Sequence, residues 1–60
     1  MLRIQDKVRV NNVISNYFNC QGVVKEIRTF SLRNGLKERF YVLFSDGDKI
    51  SFWPEELEKI

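Results

Sequence analysis

Sixty residues with ten Lys and Arg, eight Asp and Glu, no histidine and one cysteine define a small chain of net charge +2. A chain of this size buries only about 60% of the surface its unfolded form exposes, and Cys20 alone supplies neither an internal disulfide nor a structural zinc site. Five Phe, two Tyr and one Trp are left to fill the interior. No repeat, low-complexity stretch or Pro/Gly/Ser linker interrupts the sequence, so residues 1–60 read as a single domain.

Val8 and Val10 alternate with Lys7 and Arg9, the period-2 signature of a half-buried first strand. Residues 11–21 then form a polar-rich excursion, anchored by Val13, Ile14 and Phe18, with Phe18 expected in the core. Gly22 marks a bulge or bend where the second strand begins. From Val23 to about Phe30 the chain is β-prone, with Val23, Ile27 and Thr29 on one parity and Val24 and Phe30 on the other. Apolar residues on both faces fit a bent strand that serves two halves of a sheet. Asn34-Gly35 predicts a type I′ hairpin turn with positive φ at both positions. A third strand follows over roughly Lys37–Ser45, with Phe40, Val42 and Phe44 on one face and Tyr41 and Leu43 on the other. Asp46-Gly47 is the next tight turn, and Ile50 and Phe52 alternate along a fourth strand. Pro54 opens a short helical turn whose positive end suits Glu55 and Glu56. Leu57 is expected to plug the interior and residues 58–60 to add a fifth strand. The predicted fold is all-β: a small SH3-like five-stranded barrel with a short 3-10 turn near Pro54.

The inventory of reactive groups is thin. Histidine is absent, and adjacent carboxylates such as Glu55 and Glu56 diverge rather than share a proton. Cys20 lies between neutral Asn19 and Gln21 with no base beside it, so it reads as a buried or half-buried thiol. Gly22, Gly35 and Gly47 are too far apart to cradle a phosphate, and Asp46-Gly47-Asp48 lacks the remaining ligands of a calcium loop. A non-catalytic binding module without cofactor or metal is expected. The unpaired cysteine fits a reducing compartment, and no stretch approaches the ~20 apolar residues that cross a bilayer, so the expected location is cytoplasmic, without direct membrane insertion.

Charge is uneven along the chain. Residues 25–45 set Lys25, Arg28, Arg33, Lys37 and Arg39 against Glu26 and Glu38. Residues 46–60 set Asp46, Asp48, Glu55, Glu56 and Glu58 against Lys49 and Lys59. A basic hairpin suits an acidic partner approached from one side; a mixed surface kept for solubility is the competing reading. Leu32 and Leu36 flank the hairpin tip. A second constellation is aromatic: Tyr17 from the long first loop, expected to face Trp53 beside the helical turn, has the composition of an interaction hot spot. The candidate partner-binding residues are Arg9, Tyr17, Arg28, Arg33, Lys37, Arg39 and Trp53.

Val8-Arg9-Val10-Asn11-Asn12-Val13, followed by Tyr17, Gly22, Val42-Leu43-Phe44, Gly47, Ser51-Phe52 and Glu56-Leu57-Glu58, resembles a known family. It is similar to the small S subunit of the cyanobacterial and chloroplast NAD(P)H dehydrogenase-like complex and, at lower specificity, to the variable chain of ferredoxin–thioredoxin reductase. The resemblance runs from near Lys7 almost to the last residue. It implies a non-catalytic SH3-like subunit of photosynthetic electron transport, held on the cytoplasmic or stromal face of a larger thylakoid membrane complex, where it helps to dock acidic ferredoxin. Arg9 falls within the matching opening motif. Residues 28–39 depart from the pattern, being a longer hairpin rich in Arg and Lys. The alternative is a nucleic-acid or transcription-complex barrel of the KOW or Tudor type, disfavoured by the acidic C-terminal third.

Overall fold

The computed structural model describes residues 2–60. Its strands are β1 (Lys7–Val10), β2 (Gln21–Leu32), β3 (Gly35–Phe44), β4 (Lys49–Phe52) and β5 (Leu57–Lys59), with a single 3-10 turn at Pro54–Glu56 before β5. All five strands join one antiparallel sheet in the order β4-β3-β2-β1-β5. β4 and β5 are the two edges, so the ladder is open and does not close into a continuous cylinder. No helix among the described residues is long and apolar enough to cross a membrane.

One face of the sheet is the core. Val8, Val10, Val24, Phe40, Val42, Phe44, Phe52 and Leu57 are buried there, and Leu2, Tyr17, Ile27 and Ile50 pack against them. Alternation places the core residues of β3 and β4 as expected, and Leu57 fills the interior from the start of β5. In β2 the parity breaks. The register shifts between Val24 and Glu26, so Lys25 is an extra residue, and Val24 and Ile27, three positions apart, both reach the core. That bulge is why no single parity described this strand in the sequence.

Gly22 is not the bulge. It pairs with Val8 on one side and Phe44 on the other, and a Cβ there would meet Val42 Cγ1 at 2.5 Å and the Leu43 carbonyl oxygen at 2.8 Å. Glycine lets three strands close tightly over the core at this point.

The β2–β3 turn differs in detail from expectation. Leu32 pairs with Gly35, leaving Arg33 and Asn34 at the tip, and only Gly35, at φ 124°, adopts positive φ while Asn34 does not. The β3–β4 turn has the same logic. Gly47 N–H donates to the Phe44 carbonyl at 3.0 Å, with Gly47 at φ 91°. Each glycine sits one place after the turn centre, in the position a type I turn hands to a left-handed residue.

The excursion between β1 and β2 is tied at its base, where Asn19 N–H donates to the Val10 carbonyl and Val10 N–H to the Cys20 carbonyl. Asn19 takes a left-handed φ of 68°, which asparagine tolerates better than most residues. Phe18 and Cys20, expected inside, are both exposed. The loop is held by hydrogen bonds and by Tyr17, so neither side chain is needed as an anchor.

Candidate interaction surface

The face of the sheet opposite the core carries the candidate site. Alternation along β3 sends Lys37, Arg39, Tyr41 and Leu43 to this face. Their β2 partners are Phe30, Arg28, Glu26 and Val23, and Ser51 and Lys49 of β4 lie across from Tyr41 and Leu43. Of the seven residues nominated from the sequence, Arg28, Lys37, Arg39 and Trp53 converge here.

Trp53 is half-buried beneath two cations. The Arg39 guanidinium carbon lies 4.4 Å from its ring centroid and Lys37 Nζ 5.3 Å. Arg39 is fixed further by donating from Nε to Ser51 Oγ at 2.9 Å and from Nη2 to the Ser51 carbonyl at 3.4 Å. Among the described residues no carboxylate pairs with it. Arg28, directly opposite Arg39 in the ladder, stacks over Tyr41 at 5.3 Å and donates to Glu26 Oε2 at 2.5 Å. That bond, with a weaker one from Lys49 Nζ, holds the Glu26 carboxyl below the usual carboxylate range and pushes Arg28 higher still.

The other nominated residues lie apart. Arg33 is at the ribbon tip. Arg9, on β1, donates to Glu58 across the β1–β5 ladder at 3.4 Å. Tyr17 stacks on Phe44 with centroids 4.4 Å apart and donates its hydroxyl to Asp48 Oδ2 at 2.6 Å. The charged acceptor, aided by burial and by Asp46, pushes the Tyr17 phenol up to about 12. Phe44 belongs to the core face of β3 and Arg39 to the opposite one, so Tyr17 and Trp53 do not form the expected groove. Glu56 is what joins the first loop to the helical turn. Its carboxylate accepts from Asn12 Nδ2 and from the Trp53 N–H, both at 2.8 Å.

The charge segregation seen along the sequence is partly undone in space. Acidic C-terminal residues reach the basic segments, Glu55 toward Lys37 at 4.0 Å and Glu58 toward Arg9. Sequence reasoning missed Lys7, Lys25, Lys49 and Tyr41 as members of the same face. The alternation of Tyr41 and Leu43 against the core residues was the available signal. No family model, curated protein or solved structure matches the chain.

Proposed function

We propose that the protein is a non-catalytic docking module that receives an acidic protein on the outer face of β2 and β3. One observation carries this reading: Arg39, directly opposite Arg28 in the ladder, is fixed over the Trp53 ring and on Ser51 with no carboxylate partner among the described residues. A preorganised cation of this kind is a ready partner for an incoming carboxylate. The strand order, the long first loop and the 3-10 turn before β5 support an SH3-like reading of the open sheet. The resemblance to the S subunit makes ferredoxin the candidate acidic partner, with the module mounted on the cytoplasmic face of a larger thylakoid complex. Val13 and Ile14, 73% and 86% exposed on the first loop, offer that complex a separate apolar attachment point.

Trp53 is the chain's only tryptophan, so its fluorescence reports directly on the site. Stopped-flow mixing with a plant-type ferredoxin should give a rapid emission change in wild type. Association should be slowed at least tenfold in Arg39→Glu/Lys37→Glu and little affected in Arg33→Glu, whose side chain lies at the tip. Equal on-rates for all three proteins would remove the proposal.

A second reading rests on the ribbon itself. Beyond the β1 and β4 pairings, β2 and β3 run on as a two-stranded arm, a shape that fits a nucleic-acid groove. Nucleic-acid affinity is carried by many cation–phosphate contacts, and Arg28, Lys37 and Lys49 are already paired with Glu26 and Glu55, so a protein partner that adds apolar contact to a few charges is preferred. A mobility shift with duplex and single-stranded DNA and RNA at physiological salt separates the two.

A further inference from the structure

The strip that carries Lys37, Arg39 and Tyr41 continues to a depression of about 400 Å³ at its far end, lined by Lys7, Gln21, Val23, Lys25, Leu43 and Ser45. Ladder register explains its composition. Lys7, Val23, Leu43 and Lys49 form one row across β1, β2, β3 and β4, which puts two aliphatic side chains at the centre and a lysine at each end. The bulge adds Lys25 to the rim. Its Nζ donates only to the neutral Gln5 Oε1, at 3.1 Å, and among the described residues neither Lys7 nor Lys25 has a carboxylate partner. An apolar floor with the two unpaired ammonium groups of Lys7 and Lys25 on its rim is complementary to an apolar side chain flanked by carboxylates.

We infer that this depression is the anchor pocket of the docking face and takes a bulky apolar side chain from an extended acidic segment of the partner. The inference rests on the proposed docking function and deepens it by naming the recognition element. From Lys37 to Leu43 the strip is six residues along one strand, roughly 20 Å at about 3.3 Å per residue. An extended segment of six or seven residues therefore spans it, with carboxylates over Arg39 and Lys37 and the anchor over Val23 and Leu43. Such a segment combines the two features the face offers, steering by charge and a fixed register from one buried side chain.

The test uses two fluorescein-labelled peptides, Glu-Asp-Glu-Asp-Glu-Phe-Glu and the same sequence with Gly in place of Phe. Both are titrated by polarisation against the full chain and mapped by amide chemical shifts. Taking the Phe ring out of water onto Val23 and Leu43 is favourable in proportion to the apolar area covered, so the Phe peptide should bind at least tenfold more tightly. It should move the amides of Gly22, Val23 and Leu43, which the Gly peptide leaves in place. Both peptides should move Arg39 and the Trp53 indole. Leu43→Ser, checked for an unchanged unfolding midpoint, should abolish the advantage of Phe, whereas Lys7→Glu/Lys25→Glu should weaken both peptides alike. Equal affinities with shifts confined to Arg39 and Trp53 would overturn the anchor pocket and leave the docking face standing. No binding of either peptide by wild type at 0.1 M salt would overturn both. A dT12 oligonucleotide binding more tightly than the Phe peptide would overturn both in favour of nucleic acid.

Discussion

The Tyr17 ring stacks on Phe44, and its hydroxyl donates to Asp48 Oδ2 at 2.6 Å. A carboxylate acceptor favours the neutral phenol, so the folded-state pKa is raised. The stabilisation is therefore complete below the ordinary value near 10 and is lost as pH rises through about 12. Ultraviolet titration should show a late-ionising phenol in wild type that is missing in Tyr17→Phe and moves back toward 10 in Asp48→Asn. Glu26 has the opposite sign. Arg28 and Lys49 depress its pKa, so its contribution is present above the usual carboxylate range and fades as pH falls through the lowered value. Gly22 is the residue with least latitude. Gly22→Ala pushes a methyl into Val42 and the Leu43 carbonyl and should cost about 1–3 kcal/mol in urea unfolding, the usual range for overpacking. A variant as stable as wild type would mean that β1, β2 and β3 can spread at this point.

Elements differ in how well they are supported. β1 pairs with β2 only at Gln21–Val23, and β4 pairs with β3 only from Phe40 to Leu43. From Arg28 and Arg39 outward the β2–β3 hairpin thus has no third strand, and two-stranded ribbons are marginal by themselves. Amide hydrogens from Thr29 to Leu36 should exchange far faster than those of Val24 and Val42; uniform protection along the ribbon would contradict this. The 3-10 turn is better tied, through Glu56 to Asn12 and to the Trp53 N–H. Glu56→Ala removes both acceptors and should lower stability by about 1–3 kcal/mol, measured by denaturant unfolding, and a loss below 0.5 kcal/mol would show that water replaces them. The elements themselves were legible because their signals are local. Alternation located β1, β3 and β4, the glycines located both turns, and Pro54-Glu55-Glu56 located the 3-10 turn. The bulge at Lys25 carries no comparable signature. It follows from the need to bring Val24 and Ile27 to one core, which only the assembled sheet imposes. The site was legible to the same extent. Arg28, Lys37 and Arg39 share a face by simple parity across a hairpin, whereas strand order sets Arg9 apart and the fold of the first loop carries Tyr17 to Phe44 on the core face, neither of which spacing within the sequence encodes.

At the scale of the whole molecule, the question is whether a partner feels the basic face or only the small net charge. The principal extents are 34 × 24 × 19 Å. At 0.1 M salt the Debye length is about 10 Å, so charges at opposite ends of the molecule are screened from each other and the local arrangement governs the encounter. On the outer face Lys7, Lys25 and Arg39 stand without carboxylate partners among the described residues, while Asp46 and Asp48 lie at the β3–β4 turn, where Tyr17 engages Asp48. A partner approaching the outer face therefore meets a positive field that the acidic turn cancels only when screening is weak. Association with an acidic protein should slow steeply as ionic strength rises from about 0.05 to 0.3 M, with dissociation changing less, because steering acts on the encounter rather than on the docked complex. Asp46→Asn/Asp48→Asn should speed association at the low end of that range and make little difference at the high end, where the turn is already screened. The same on-rate at both ends for wild type would mean that contact chemistry, and not the field of the sheet face, brings the partner in.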